Sequence, residues 1–268
     1  MDLGIENRTA LVTGGSVGIG KAIAESLASA DCNVVICARD SDRLHAAAEE
    51  VSIGEGRVLP VTADVTDPND VDELVDRAES EFGVVDILVN NVGTLGSEKP
   101  FHEIPDEEWN HVLETNVMSA VRVTRAALPG MREQGWGRIV NVASEAGSQP
   151  DPFKTHYDAS KAMLINMTKN LSKAYGEDGV LVNAVSPATT KTPLVEDLFE
   201  ERAAESGKSV TEVEEEFLTE ERPEIVVGRL GDPADVGDVV AFLVSERAGF
   251  VTGANYRVDG GSISTMDA

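Results

Sequence analysis

Ala10-Leu11-Val12-Thr13-Gly14-Gly15-Ser16-Val17-Gly18-Ile19-Gly20 decides how this chain is read. A short, continuous apolar run ends in a glycine-rich turn, and the apolar spacing of a helix begins at once, over 19–29. A strand that passes through a tight turn into a helix gathers free backbone N–H groups and the positive end of the helix dipole at one point, where a pyrophosphate is well held. Glycine turns also follow strands for steric reasons alone. The spacing here, G-x-x-x-G-x-G, also differs from the common G-x-G-x-x-G. Context gives the turn its meaning, because it closes the first strand, opens a helix and precedes a second strand at the distance of a βαβ unit. Gly14, Ser16, Gly18, Ile19 and Gly20 are therefore candidate phosphate-binding residues.

Outward from this turn, short runs rich in β-branched residues recur at 10–12, 34–37, 58–61, 85–89, 139–142, 181–185 and 255–258. Each is nearly continuous in apolar residues, the pattern of a strand buried on both faces. Helical patterns lie between them, for example over 19–29, 71–82, 106–132, 157–175 and 234–245. The β-α-β-α alternation predicts an α/β fold, a Rossmann-like, doubly wound parallel sheet of about seven strands with helices on both faces. No repeat or linker divides the chain, so residues 1–268 are read as one domain. One segment breaks the rhythm: 193–223 is strongly acidic, has helical spacing (Leu194, Leu198; Val213, Phe217) and accommodates no strand. Such an insertion in a compact fold is often a lid.

The balance of 22 Lys plus Arg against 48 Asp plus Glu leaves a formal charge of −26. Its field repels nucleic-acid backbones and anionic membranes, so neither is expected as a partner. Only eight of the basic residues are lysines, and the acids are spread along the chain, most densely between Glu196 and Glu224. That is the pattern of a halophilic protein, whose surface stays hydrated in molar salt and whose self-repulsion is screened over ~3 Å; an ordinary acidic protein is the alternative. No apolar run approaches the ~20 residues of a membrane span, and 1–7 lacks a signal-peptide layout. Two cysteines, Cys32 and Cys37, suit neither a metal site nor a disulfide framework. A cytoplasmic location and no metal are expected.

In a sheet of this kind the carboxyl ends of the strands line the ligand crevice. The second strand ends Cys37-Ala38-Arg39-Asp40, where folds of this type often place an acid for the adenosine ribose. A base there pairs with a 2′-phosphate, which favours NADP(H) while leaving NAD(H) possible. Alternatively Arg39 ends the strand in solvent and Asp40 caps the next helix. The third strand runs into Asp64-Val65, placed to meet an adenine, and the fourth into Asn90-Asn91-Val92-Gly93, where Asn91 would brace the loop. Asp and Asn also form turns through their own backbone. Asn116 lies within the apolar stripe Trp109, Val112, Leu113, Val117 and Ala120, so it must hold backbone or water. Taken alone, pinning its helix is the simpler role.

The fifth strand ends in Ser144, and thirteen residues later comes Tyr157-Asp158-Ala159-Ser160-Lys161. Tyr157 and Lys161, four apart, share a helix face. A phenol with a pKa near 10 needs a nearby cation to act at neutral pH, and Lys161 is that cation. A Y-x-x-x-K pair alone usually marks a solvated helix; Ser144 and the glycine turn make it a constellation.

With these residues in place the sequence resembles the short-chain dehydrogenase/reductase family, in the branch similar to 3-oxoacyl-carrier-protein reductases. The resemblance rests on Thr13 to Gly20, Asp64, Asn90 to Gly93, Asn116, Ser144, Tyr157, Lys161, Asn183 to Pro187, Thr192, Gly228 to Pro233 and Val258 to Gly261. It implies an NAD(P)-dependent oxidoreductase interconverting a ketone and a secondary alcohol, with Asn116, Ser144, Tyr157 and Lys161 catalytic. Tyr157 would exchange the proton, Ser144 would hydrogen-bond the reacting oxygen, and Lys161 would contact the nicotinamide ribose and lower the tyrosine pKa. Asn116 would hold a relay water. Implied cofactor contacts are Gly14, Ser16, Gly18, Ile19, Gly20, Arg39, Asp64, Val65, Asn91, Gly93, Tyr157, Lys161, Pro187, Thr190 and Thr192.

The chain departs from the family at three places. Val92 stands where Ala is frequent, narrowing the nicotinamide approach. Ala188 stands where Gly usually follows the proline, so a φ > 0 backbone would be strained there. Val17 replaces a frequent base, leaving Arg39 alone to bind a 2′-phosphate. An NADPH-dependent carbonyl or 3-oxoacyl-type reductase leads; a sugar or alcohol dehydrogenase similar to glucose dehydrogenases is the alternative, and a cofactor-binding regulator without chemistry is the reading from another class. The net charge disfavours an acidic carrier protein, although Arg125, Arg132, Lys169 and Lys173 offer a local basic patch. The resemblance also implies a homotetramer or homodimer acting on a small-molecule ketone or alcohol.

Overall fold

The computed structural model describes residues 2–52 and 54–265. Its seven strands are β1 (Thr9–Thr13), β2 (Asn33–Ala38), β3 (Val58–Thr62), β4 (Ile87–Asn90), β5 (Gly137–Val142), β6 (Val180–Pro187) and β7 (Asn255–Val258). They form one parallel sheet in the order β3-β2-β1-β4-β5-β6-β7. The order reverses between β1 and β4, and there the loops after two neighbouring strands part to opposite faces and leave a crevice. The predicted doubly wound sheet is present, each strand within two residues of its expected ends.

The central strands read as largely apolar runs because both faces are covered, whereas the edge strands β3 and β7 are only half-buried. Ala10, Val12, Val34, Ile36, Ile87 and Val89 pack on one side with α1 (Gly18–Ala28), α2 (Ser41–Val51) and, late in the chain, Val240 and Leu243. Leu11, Val35, Cys37, Leu88 and Ile139 point the other way, onto α3 (Pro68–Phe82) and onto Val123, Ala127 and Met131. Asp40 caps α2 by accepting from Arg43 N, the capping role expected for it.

The helix expected over 106–132 is interrupted. α4 (Asp106–Leu113) and α5 (Ser119–Gln134) are joined by a π-helical turn, Glu114–Met118, that carries Asn116. Such a turn widens the helix by one residue and reorients the side chains in it, and it recurs at functional sites. α6 (Thr155–Tyr175) carries Tyr157 and Lys161. The acidic segment folds as α7 (Pro193–Ser206), α8 (Val210–Glu216) and a π turn at Phe217–Glu221, around a small core of Phe199, Ala203, Val213, Phe217 and Leu230. α9 (Pro233–Val244) completes the helices, held at its start by an Asp232/Asp235 capping box. No described helix is long and apolar enough to cross a membrane.

Candidate active site

The glycine turn is shaped by close approach. Gly14 and Gly18 take φ of 65° and 55°, where a side chain is disfavoured. A Cβ on Gly20 would lie 2.2 Å from Gly14 O. Asn91 stitches this turn to β4: its Nδ2 donates to Thr13 O (3.0 Å) and Gly14 O (3.3 Å), while its N–H donates to Thr13 Oγ1 (3.0 Å). Val17, the N-cap of α1, makes no side-chain cap bond, and the first helical turn holds no acid. Free N–H groups, an unopposed helix dipole and backbone stripped of Cβ atoms fit the pyrophosphate of a dinucleotide. Thr192 closes the cradle from the far side, its Cγ2 2.9 Å from the place of a Gly18 Cβ. Ser16 and Ile19 are half-buried, Ile19 against the core beneath the turn.

Arg39 is exposed and makes no ion pair among the described residues. Asp64 forms the turn after β3, its Oδ1 accepting from Thr66 N (2.9 Å) and Thr66 Oγ1 (2.7 Å). These bonds hold its carboxyl below the usual range, and the Arg39 charge adds to the effect. Val65 points into the core on the α3 face. Pro187 ends β6, and Thr190 is buried, donating to Ala188 O (2.9 Å). Ala188 corrects one expectation: its φ is not positive, and its N–H donates to Val258 O at 3.2 Å, continuing the β6–β7 pairing. No strain arises there. The family-like residues of β6 act as staples, Asn183 donating to Val251 O (2.9 Å) and Ser186 to Asn255 Oδ1 (2.7 Å).

The four candidate catalytic residues converge at the same sheet edge. Ser144 leaves β5 in extended backbone (φ −167°), accepts from Ala146 N (3.2 Å) and lies close enough to the Tyr157 phenol to act on it. Lys161 is buried, its Nζ donating to Val142 O (2.9 Å) and lying 5.7 Å from the Tyr157 ring centroid. Gly93 leaves room for this pair, since its Cβ would meet Lys161 Nζ at 3.3 Å and Asn116 Oδ1 at 3.5 Å. Asn116, fully buried, accepts from Thr94 N (2.7 Å) and donates to Thr94 O (3.0 Å) and Ser160 Oγ (2.9 Å). Ser160 in turn donates to Tyr157 O (2.6 Å). Asn116 thus ties the loop after β4 to the helix of the tyrosine.

In this arrangement the tyrosine pKa is raised, not lowered. Burial pushes the Tyr157 phenol up to about 12, the Ser144 hydroxyl opposes that, and the charges of Asp158 and Glu145 add to it. Burial likewise brings Lys161 down to about 8, and its ammonium is engaged by a backbone carbonyl.

Several contacts around the site escaped the sequence reading. Asn90 donates to Thr124 Oγ1 (3.0 Å) and Asn141 Oδ1 (2.9 Å), and Asn141 to Thr168 Oγ1 (2.8 Å), a buried polar ladder behind the site. His156, wholly buried beside Tyr157, faces Glu108 at 3.2 Å. Arg222, at the end of the acidic segment, reaches Asp151 at 3.3 Å. Asn90 and Ser160 carried a sequence signal, the first in the Asn90–Gly93 segment and the second beside Lys161, but their partners did not.

Comparison with known proteins agrees with this geometry. The short chain dehydrogenase family matches residues 8–203. L-Sorbose reductase from Gluconobacter frateurii, solved with NADPH and L-sorbose, superposes with a TM-score of 0.94 at 38% identity, covering 99% of this chain and 100% of that one. D-beta-hydroxybutyrate dehydrogenase of Cupriavidus necator is 36% identical over 97% of this chain and 99% of its own. The 3-oxoacyl-[acyl-carrier-protein] reductase of Vibrio cholerae is 35% identical over 97% and 98%. The chain belongs to the short-chain dehydrogenase family. It is an NAD(P)-dependent oxidoreductase of the CH–OH/carbonyl couple.

Proposed function

We propose that the chain is an NADPH-dependent reductase of small ketones, with Tyr157 as the general acid. One observation carries the reading: Ser144, Tyr157, Lys161 and Asn116 gather beyond the ends of β4 and β5, Asn116 bonded through Ser160 to the Tyr157 backbone and Lys161 bonded to Val142 O beside the Tyr157 ring. When bound, the nicotinamide supplies the hydride that adds to the carbonyl carbon. The Ser144 hydroxyl then donates to the carbonyl oxygen and favours its developing charge, and Tyr157 passes its phenolic proton to that oxygen. A phenol pushed up to about 12 is fully protonated at neutral pH, the form a reduction needs. In the reverse direction Tyr157 must lose that proton, so alcohol oxidation is favoured by alkaline pH. Lys161 holds the floor of the site through Val142, and Asn116 fixes the loop that Gly93 and Thr94 form over it.

Gly14, Ser16, Gly18, Ile19 and Gly20 would hold the pyrophosphate; Asn91, Gly93, Pro187, Thr190 and Thr192 would hold the nicotinamide half; Arg39 would hold a 2′-phosphate, with Asp64 and Val65 at the adenine. NADPH in the sorbose reductase structure supports the preference, as does the unpaired Arg39. The 193–223 segment serves as a lid. We place the enzyme in the cytoplasm, in keeping with two free, buried cysteines. We read it as a salt-adapted homo-oligomer, in which a second copy covers exposed apolar residues such as Met163, Phe242 and Phe250.

The test is NADPH oxidation with a panel of small ketones in molar salt. Tyr157→Phe is expected to lower kcat by about 10³-fold while leaving NADPH fluorescence on binding intact. Binding without turnover of any ketone by the unaltered protein would instead favour a cofactor-binding regulator.

A further inference from the structure

The loop that leaves β4 runs over 91–100 beside the site, and three elements fasten it. Asn116 holds it at Thr94, through both the N–H and the C=O of that residue. Lys99 N donates to Phe153 O (2.9 Å), which ties the far end to the loop before α6. Between these points the loop is pressed onto α6 itself. Gly96 takes φ of 69°, and a Cβ there would lie 2.3 Å from His156 Nε2 and 3.0 Å from Val112 Cγ2, so only glycine fits. The next residue meets an acid of α4: Glu108 Oε1 accepts from Ser97 N (2.5 Å) and lies 3.2 Å from His156 Nε2, while Lys99 Nζ stands 3.8 Å from Oε2. Bonds from Ser97 hold the Glu108 carboxyl down at about 2, with His156 and Lys99 adding to the effect, so it is ionised and can only accept. His156 therefore carries a proton on Nε2 and donates it to Glu108. Its Nδ1 is buried with no partner among the described residues, and the ring, tilted on Trp109 at 5.9 Å, fills a place that an apolar ring would fill without that cost. What the imidazole adds over such a ring is the bond to Glu108.

We propose that Glu108, with His156, is a positioning residue for ketone reduction: it pins the 95–97 stretch of the loop to the turn of α6 that carries Tyr157, and so fixes the wall against which the ketone lies. This rests on the reductase reading above and adds two residues to it. The loop borders the reacting groups, since a Cβ on Gly93 would meet Lys161 Nζ at 3.3 Å, and a loop at the carboxyl end of a strand lines the crevice. His156 is joined to Tyr157 by one peptide bond, and one carboxylate oxygen bonds both His156 and the loop, so the two keep a fixed distance. The effect of Glu108 reaches the substrate only through them. Without its carboxylate, Asn116 and Phe153 still hold the loop at Thr94 and Lys99, so the fold survives and the middle of the loop is released.

The test separates KM from kcat, with butanone and the ketone of the panel that is reduced fastest as substrates. We expect Glu108→Ala to raise KM for the ketone about tenfold, the scale of a lost hydrogen bond to a charged group, with kcat changed less than about threefold and NADPH affinity, by fluorescence titration, less than about twofold. Glu108→Gln keeps an acceptor for Ser97 N–H, and KM should return to within about threefold of the unaltered enzyme. His156→Phe keeps the packing, loses the bond and should raise KM several-fold. A merely structural role would instead lower Tm and scale kcat with the folded fraction, leaving KM where it was. An unchanged KM in a folded Glu108→Ala or His156→Phe enzyme, or a Glu108→Gln enzyme no better than Glu108→Ala, overturns the positioning role and leaves the reductase reading standing. If Glu108→Ala does not fold, Glu108→Asp, which draws the carboxylate back by one methylene, carries the same test. Failure of the unaltered protein to reduce any ketone overturns both.

Discussion

The two sides of the crevice are built by different physics. On the β1–α1 side, positions are set by backbone: Gly14 and Gly18 at positive φ, Gly20 packed where no Cβ fits, and Asn91 bonded to carbonyls of the turn. On the α7–α8 side, a small apolar core and long charged side chains hold helices against the loop that follows Ser144. The first kind of construction is stiff, because moving one residue breaks hydrogen bonds and packing at once. The second opens cheaply, since exposed ion pairs contribute little and a small core buries little apolar area. The proposed cofactor seat is therefore rigid, and the segment proposed as the lid yields more easily.

The largest effect is expected on the stiff side. Gly20→Ala places a Cβ 2.2 Å from Gly14 O and 2.5 Å from Asn91 Nδ2. Neither atom can retreat without breaking the turn, so we expect a loss of about 3 kcal/mol, seen as a lower Tm, and about 100-fold weaker NADPH binding by fluorescence titration. Unchanged binding would mean that the turn is more pliant than its contacts imply. On the cover side, Phe199→Ala removes a ring that packs on Phe217 at 5.3 Å between centroids. In a shared core it would cost about 3–5 kcal/mol. Here we expect α7 and α8 to loosen locally, raising KM for the ketone about tenfold while Tm falls by only about 2 °C. A full drop in Tm would make the segment an integral part of the fold and erase the contrast.

The same division explains what could be read in advance. Strand runs buried on two faces announce themselves as β1 to β7, and Thr13 to Gly20 announces the seat. The π turn at Asn116 leaves no trace in a 3.6-residue period, so one continuous helix was expected there. The Asn90–Asn141–Thr168 ladder depends on the register of β4 against β5, which pairs Asn90 with Asn141 and which local pattern does not contain. Ala188 was expected to be strained because the family usually has glycine there, yet the chain continues the strand pairing through that residue. Arg222 is 71 residues from Asp151, and the two look like ordinary surface charges until the fold joins them. The rise of the Tyr157 phenol comes from burial and nearby carboxylates, not from the i, i+4 spacing that suggested the opposite.

A smaller effect tests the charge beside the tyrosine. Asp158 is buried, its Oδ2 accepts from Asp151 N (2.7 Å), and burial pushes its pKa up to about 6 from 3.8. Between those two values the folded protein holds a proton that the unfolded chain has lost, so stability falls as pH rises from about 4 to about 6 and stays lower above that. Asp158→Asn keeps an acceptor and removes the titration. Its Tm should match the unaltered protein near pH 4 and exceed it by about 3 °C at pH 8, a difference that differential scanning fluorimetry resolves. Equal Tm at both values would place the carboxylate in a more hydrated setting than its burial indicates.

The smallest effect falls on the fastening of the cover itself. Arg222 meets Asp151 at 3.3 Å and Glu145 at 4.0 Å, with partly exposed side chains, a setting in which an ion pair contributes about 1 kcal/mol or less. Arg222→Gln should therefore leave Tm nearly unchanged and raise KM for the ketone only about threefold in dilute buffer. At molar ionic strength the charges are screened over ~3 Å, so the variant and the unaltered enzyme should converge. A KM difference that persists in molar salt would mean that Arg222 acts through packing on the Phe217 ring, 5.9 Å away, and the cover would then be held by the same close contact that governs the glycine turn.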